Sequence, residues 1–308
     1  MRHRHIALIL AIIPPLLFAQ SPPQKLIFVS DTQSPIWFEK IYMEYNDNEA
    51  ATQKIFSSIL EESGLTAVVH AGDITAYGSS RDKWEPVLPF LDSLRARSVP
   101  FIAAKGNHDY MFSSAAAMEN FQEYVPGSRL DYSVSRFGPV AVILLNSNFS
   151  KLDDSTIDRQ NEWYASTLSK CDADSTIRFI CCVNHHSPFT NSAIVSGSGE
   201  VQKNFLPAFY RSTKASLFLT GHAHRFEHFQ NRGKDFLVIG GGGGLLHPRK
   251  SSELLTDLST AGEEGRFFHY VRCLVGEDSL SFEIVKVTST STPGEVVYTM
   301  SITKPKNP

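Results

Sequence analysis

The chain has 308 residues, with 29 Lys and Arg against 32 Asp and Glu, a formal net charge of −3. That near-neutral balance argues against a basic nucleic-acid face or an anionic-membrane surface. A hydrophobic fraction of 42% supports a sizeable core, and the length suits one large domain or two small ones.

Residues 1–19 read as a secretory signal peptide. Met1-Arg2-His3-Arg4-His5 is basic, residues 6–18 are apolar, and Leu17-Phe18-Ala19 offers a cleavage site before Gln20. The apolar run is short for a spanning helix and is broken by Pro14-Pro15. An exported protein, periplasmic or secreted, with no membrane span after cleavage is expected. Residues 20–308 are expected to form one domain.

In chain order, Leu26-Ile27-Phe28-Val29 is a short buried strand ending at Ser30-Asp31-Thr32-Gln33. Residues 49–62 read as an amphipathic helix stopped by Gly64. Residues 65–69 form the next strand, ending at His70-Ala71-Gly72-Asp73. Residues 82–97 read as a helix kinked at Pro86 and Pro89. A third strand over 99–104 ends at Lys105-Gly106-Asn107-His108-Asp109. This β-α-β-α-β order predicts a parallel or mixed sheet covered by helices.

Residues 114–124 read as a helix, and 132–137 with 140–145 as a hairpin around Gly138-Pro139. Ser155-Thr156-Ile157-Asp158 is a capping-box signature for a helix through Leu168. A strand over 177–183 ends at Asn184-His185-His186. A helix over 201–211 follows, then a strand over 217–219 ending at Gly221-His222-Ala223-His224. From Arg225 to residue 303 short alternating strands dominate. This β-rich tail is expected to lay a second sheet on the first.

Cys171, Cys181, Cys182 and Cys273 form no CxxC pair. Cys181 and Cys182 are adjacent in an apolar run, so they face opposite sides of a strand. Export permits a disulfide, but the spacing selects no pairing, and core filling is the simplest reading.

Five apolar runs thus end in metal-type ligands: Asp31 and Gln33, Asp73, Asn107 and His108, His185 and His186, His222 and His224. A lone Asp after a strand is ordinarily a cap or turn residue. Five such ends in one α/β pattern converge on the edge where ligands bind. Hard oxygen donors mixed with imidazole suit Mn, Fe or Zn more than Ca, and the donors suffice for two ions.

Asp31-x-Gln33, Gly72-Asp73, Gly106-Asn107-His108-Asp109, His186-x-Pro188 and Gly221-His222-x-His224 resemble the ordered blocks of the calcineurin-like metallophosphoesterases, close to the purple acid phosphatase branch. The resemblance spans roughly residues 25–288. It implies an α+β fold of four layers, with two packed mixed β-sheets flanked by helices. It also implies a small phosphoester substrate, mono- or diester, and two metal ions (Mn, Fe, Zn or Mg). Asp73 would bridge the metals. Asp31 and His224 would bind the first, with Gln33 in the remaining slot. Asn107, His186 and His222 would bind the second. His108 would assist the departing oxygen or stabilise charge, and Asp109 would orient its neighbours.

Gln33 departs from the family, which usually has His there. An amide oxygen is a harder and weaker donor than imidazole. The first metal is therefore expected to bind less tightly or to be Mn or Mg, and a degenerate, non-catalytic binding protein of the same fold is the alternative. Tyr77 lies one position beyond the place of the purple acid phosphatase tyrosine ligand, so iron–tyrosine chemistry is not assigned. In an extended segment only one of His185 and His186 can face the site, and the His-x-Pro context selects His186. His70 reads as a core or supporting histidine, and roles for His228, His247 and His269 stay open. Residues 240–244 read as a glycine turn beside the site. Trp37, Phe38 and Tyr42 read as hydrophobic cover, with a substrate wall as the other reading.

Overall fold

The computed structural model describes residues 24–303 apart from 38, 129–130, 253–254, 260–264 and 289–293. The expected leader over 1–19 and Phe38 lie outside the described residues, as does the side chain of Tyr42. Among the described residues no helix is long and apolar enough to cross a membrane.

Two six-stranded mixed sheets make up the centre. One has the order β12 (Glu295–Thr303), β11 (Ser279–Lys286), β10 (His269–Val275), β1 (Gln24–Val29), β2 (Leu65–His70), β3 (Phe101–Ala103). The other runs β4 (Ser133–Phe137), β5 (Val140–Leu144), β6 (Phe179–Val183), β7 (Ala215–Thr220), β9 (Lys234–Ile239), β8 (Phe226–Asn231).

Alternation in the strands builds three cores from one sequence pattern. Leu26 and Phe28 of β1 point between the sheets, with Ala67, Val69, Cys181 and Val183. Ile27 and Val29 point outward, onto α2 (Asn48–Glu61), α4 (Leu88–Ala96) and α5 (Ser114–Tyr124). Ile180 and Cys182 face outward on the other side, under α6 (Asp154–Ala173), α7 (Gly199–Asn204) and α8 (Leu206–Arg211). The result is the four-layer arrangement of two mixed sheets flanked by helices. Cys181 and Cys182 do split between the two faces of β6, and all four cysteines are buried and free.

Several local expectations need correction. The β-rich tail does not form its own sheet. β8 and β9 extend the sheet of β4–β7, and β10 turns back to pair antiparallel with β1. The helix over 82–97 is two pieces, α3 (Arg81–Trp84) and α4. Pro86 lies in the break, and Pro89 falls in the first turn of α4, where its missing N–H costs nothing. The helix over 201–211 is likewise split into α7 and α8, with Pro207 in the first turn of α8. The cap of α6 is Asp153, whose carboxylate accepts the Thr156 N–H at 2.7 Å, so that helix starts before Ser155 and runs on to Ala173.

The parallel strands end flush, and this positions the site. Val29 pairs with His70 and His70 with Ala103 in one sheet. Leu144 pairs with Val183 and Val183 with Leu219 in the other.

Candidate metal centre

The segments after β1, β2, β3, β6 and β7 meet at these flush ends. The first three are tied by main chain and by one carboxylate. Asp31 N–H donates to Gly72 O at 3.0 Å. Asp109 is fully buried and accepts N–H bonds from Asp73 (2.9 Å), Ile74 (3.0 Å) and Gly106 (2.9 Å). A side chain at Gly106 would overlap Asp73 Oδ1 and Asp73 N, so this crossing needs glycine. Gly244 is constrained in the same way by the His224 ring. Its N–H donates to Asp31 O at 3.0 Å, which places the 240–244 turn against the site.

Asp31, Asp73 and His222 have φ of 57°, 57° and 66°. Non-glycine residues in that region carry strain that surrounding structure must hold, and such strain clusters at functional sites.

One half of the centre is formed by Asp31, Gln33 and His224. His224 Nε2 lies 3.4 Å from Asp31 Oδ1. His224 Nδ1 lies 2.9 Å from Leu245 O, a pure acceptor, so Nδ1 carries the hydrogen and Nε2 faces the carboxylate. His247 stacks beneath that ring, with centroids 4.3 Å apart. Gln33 is buried, and its neighbours fix its amide. The nitrogen donates to Asp31 O (3.2 Å) and Asp73 O (3.1 Å), leaving Oε1 toward His224 Nε2 at 3.2 Å.

The other half holds Asp73, Asn107, His185 and His222. Asp73 Oδ1 accepts the His108 N–H at 2.8 Å. His185 Nδ1 faces Ala71 O at 3.0 Å, which turns Nε2 to Asp73 Oδ2 and Asn107 Oδ1, each at 3.1 Å. The His222 N–H is 3.1 Å from both oxygens of Asp31, which links the halves. Ligating atoms of Asp73, His185 and His222 all lie within 4.8 Å of one another.

The expectation that only one of the adjacent histidines faces the site is corrected. β6 ends at Val183, so strand alternation no longer applies at 185 and 186. His185 takes the contact with Asp73. The His186 ring stands 4.5 Å from that of His222, with its Nδ1 held by Ser147 Oγ at 2.9 Å. Sequence reading missed His185 as the closer partner, as well as His247 and Asn146-Ser147-Asn148. The last group is polar and follows an apolar strand like the others, but carries no carboxylate or imidazole. His70 is a support. It accepts the Gly72 N–H through Nδ1 (3.1 Å) and meets Thr32 Oγ1 through Nε2 (3.0 Å), and burial pushes it down to about 3.

The electrostatics fit cations. Burial alone would raise the carboxyls of Asp31 and Asp73, yet neighbouring imidazoles hold both below the ordinary range. Burial likewise opposes charge on His185, but Asp73 and Asp31 push it up to about 9. His222 is pushed down to about 3 by burial and then by His185. Asp73 Oδ2 is buried and makes no hydrogen bond, although His185 Nε2 is close. A buried carboxylate oxygen that makes no hydrogen bond needs positive charge beside it, which protonated His185 supplies here and a metal ion can supply in its place. The donor set therefore fits metal ions.

A pH dependence follows for the metal-free protein. His185 has a folded pKa raised from 6.5 to about 9. Its contribution to stability is fully present below pH ~6.5 and is lost as pH rises through ~9. The Tm of chelator-treated protein should fall across that window, while metal-loaded protein, with the proton displaced, stays flatter. A flat Tm for the chelated protein would contradict the charge assignment.

The family model for calcineurin-like phosphoesterase matches residues 24–226. A comparison with curated proteins found no match. Among solved structures, the chain is similar to GAP50, the anchor in the inner membrane complex of Plasmodium. Identity is 15%, the match covers 92% of this chain and 90% of that one, and the TM-score is 0.68. It is also similar to a dimetal phosphatase from Danio rerio, at 14% identity, 92% and 100% coverage, and a TM-score of 0.60. At these identities the likeness shows the fold.

Proposed function

The chain belongs to the calcineurin-like phosphoesterase family, and on that premise we infer that it is an exported metal-dependent phosphoesterase acting on small phosphomonoesters or phosphodiesters. The observation that carries this reading is the buried Asp73 carboxylate, whose Oδ2 makes no hydrogen bond and has His185 Nε2 at 3.1 Å, in a group whose ligating atoms with His185 and His222 lie within 4.8 Å of one another. Asp31, Gln33 and His224 would hold one ion; Asn107, His222 and His185 or His186 the other; Asp73 would be shared. When bound, such a pair supplies positive charge to the phosphoryl oxygens and acidifies a water.

His108 Nδ1 lies 3.0 Å from Ala76 O and so carries its hydrogen. Nε2 is then the nitrogen that can pass a proton to the departing oxygen. Because the His108 contact with Asp73 is made by the main-chain N–H, His108→Ala should keep both ions. It should lower kcat roughly 10²–10⁴-fold on esters with poor leaving groups and much less on 4-nitrophenyl esters. Equal losses on both would argue against proton donation.

For Asp109 the orienting role implied by the resemblance is the one its surroundings support. Its carboxylate is fully buried on three main-chain N–H groups, so we assign it a positioning role.

A second reading rests on Gln33, a weak neutral donor where imidazole is usual. It makes the chain a one-ion, non-catalytic binding protein. The decisive assay uses 4-nitrophenyl phosphate and bis(4-nitrophenyl) phosphate with added Mn, Mg, Zn or Fe, alongside metal content per chain. Turnover with two ions supports the hydrolase, and one retained ion without turnover supports the second reading.

A further inference from the structure

The two adjacent histidines after β6 are held by different kinds of partner. His185 sets Nδ1 3.0 Å from Ala71 O, as His224 sets Nδ1 2.9 Å from Leu245 O. A carbonyl can only accept, so both rings keep a hydrogen at Nδ1 and turn Nε2 into the site, the arrangement of metal-bound imidazoles.

His186 meets a hydroxyl instead. The chain after β5 places Ser147, which is buried, so that its Oγ accepts the His186 N–H at 3.0 Å and lies 2.9 Å from His186 Nδ1. A buried hydroxyl has one hydrogen to direct at an acceptor. Among the described residues, Nδ1 is the acceptor within hydrogen-bond distance of Ser147 Oγ. The O–H therefore donates to Nδ1, and the ring hydrogen of His186 sits on Nε2. That nitrogen is a donor, with no lone pair to give a cation.

Position agrees with this. Ligating atoms of Asp73, His185 and His222 lie within 4.8 Å of one another, and among the described residues His186 is outside that group. His185 is fully buried, whereas His186 is partly exposed, on the open side of the centre with Asn107 and His222. Its ring stands 4.5 Å from that of His222 and 5.0 Å from that of His185. An imidazole beside two candidate ligands, open to solvent and presenting an N–H, suits the oxygen of an anion.

We propose that His185 rather than His186 completes the second ion's ligands, and that His186 binds the substrate by donating Nε2–H to a phosphoryl oxygen, an inference that rests on the phosphoesterase reading.

The test uses the metal-loaded full chain, freed of excess metal, with inorganic phosphate as the titrant. His186→Ala should keep both ions, with metal affinity within about threefold of the parent, and should bind phosphate at least about tenfold more weakly, the worth of a hydrogen bond to a charged group. His186→Gln, whose amide nitrogen can stand near the lost Nε2, should recover part of that affinity. His185→Ala should weaken metal binding by more than the roughly 10–100-fold that loss of an outer partner costs. In nitrogen-15 spectra of the zinc-loaded parent, which need no variant to fold, His186 should carry its hydrogen at Nε2 and His185 at Nδ1. An ion lost from His186→Ala, phosphate affinity unchanged in it, full metal affinity in His185→Ala, or a hydrogen at His186 Nδ1 alone overturns the assignment and leaves the phosphoesterase reading standing. Phosphate binding that depends on His186, in a protein that turns over neither 4-nitrophenyl ester with Mn, Mg, Zn or Fe, upholds the contact and overturns that reading. A metal-loaded parent that binds no phosphate overturns the contact, and one that also turns over neither ester overturns both.

Discussion

Asp73→Asn should lower kcat by at least about 10³-fold on any ester the protein hydrolyses, and should reduce bound metal from two ions per chain to one or none. The side chain is fully buried, with Oδ1 on the His108 N–H and Oδ2, which makes no hydrogen bond, 3.1 Å from His185 Nε2. Asparagine keeps an acceptor for His108, so the loop should stay in place. It removes the negative charge of the carboxylate proposed to be shared by the two ions, and it turns either an N–H or a neutral oxygen toward His185. Charge stabilisation by metals is worth several kcal/mol, and ~1.4 kcal/mol is a decade of rate, hence the size of the loss. Metal analysis and kcat on the same preparation check it. A variant that holds two ions and turns over within tenfold of the parent would show that the shared carboxylate is not the heart of the site.

Much of this centre could be read from strand ends. Asp31, Asp73, Asn107, His222 and His224 each follow an apolar run, and flush strand registers bring the runs to one edge. The alternation of Ile180, Cys181, Cys182 and Val183 between two cores likewise follows from a period of two. What sequence periodicity could not supply lies just beyond the strands, where the period stops. His185 and His186 were separated by a rule valid only inside β6. The left-handed backbone at Asp31, Asp73 and His222 carries no glycine signal, because the folded surroundings impose it. The tail was misplaced for a related reason. Short alternating strands reveal which faces are buried, but the pairing of β10 with β1 is a contact across some 240 residues that no local pattern encodes.

The same limit applies to Asp109, and the second large effect is expected there. The sequence offers it only as a residue that orients its neighbours, without saying which, and its oxygens are taken up by the N–H groups of Asp73, Ile74 and Gly106. Burial, and then the charge of Asp73, push its carboxyl up to about 7, while those N–H bonds pull the other way. Asp109→Ala leaves three buried donors without an acceptor, at about 1–3 kcal/mol each. A loss of at least about 3 kcal/mol is expected, which for a chain of this size is on the order of 6–12 °C in Tm. Because the brace sets the angle between the loops carrying Asp73 and Asn107, metal affinity should also fall by about 10–100-fold at temperatures where the variant is folded. Asp109→Asn, which keeps the volume and one acceptor oxygen, should recover part of both. Calorimetric unfolding with metal titration separates the two effects. A variant that unfolds earlier but binds metal as tightly as the parent would make Asp109 a stabilising residue only. The geometry of the centre would then have to be held by the backbone contacts of Asp31 with Gly72 and of Gly244 with Asp31.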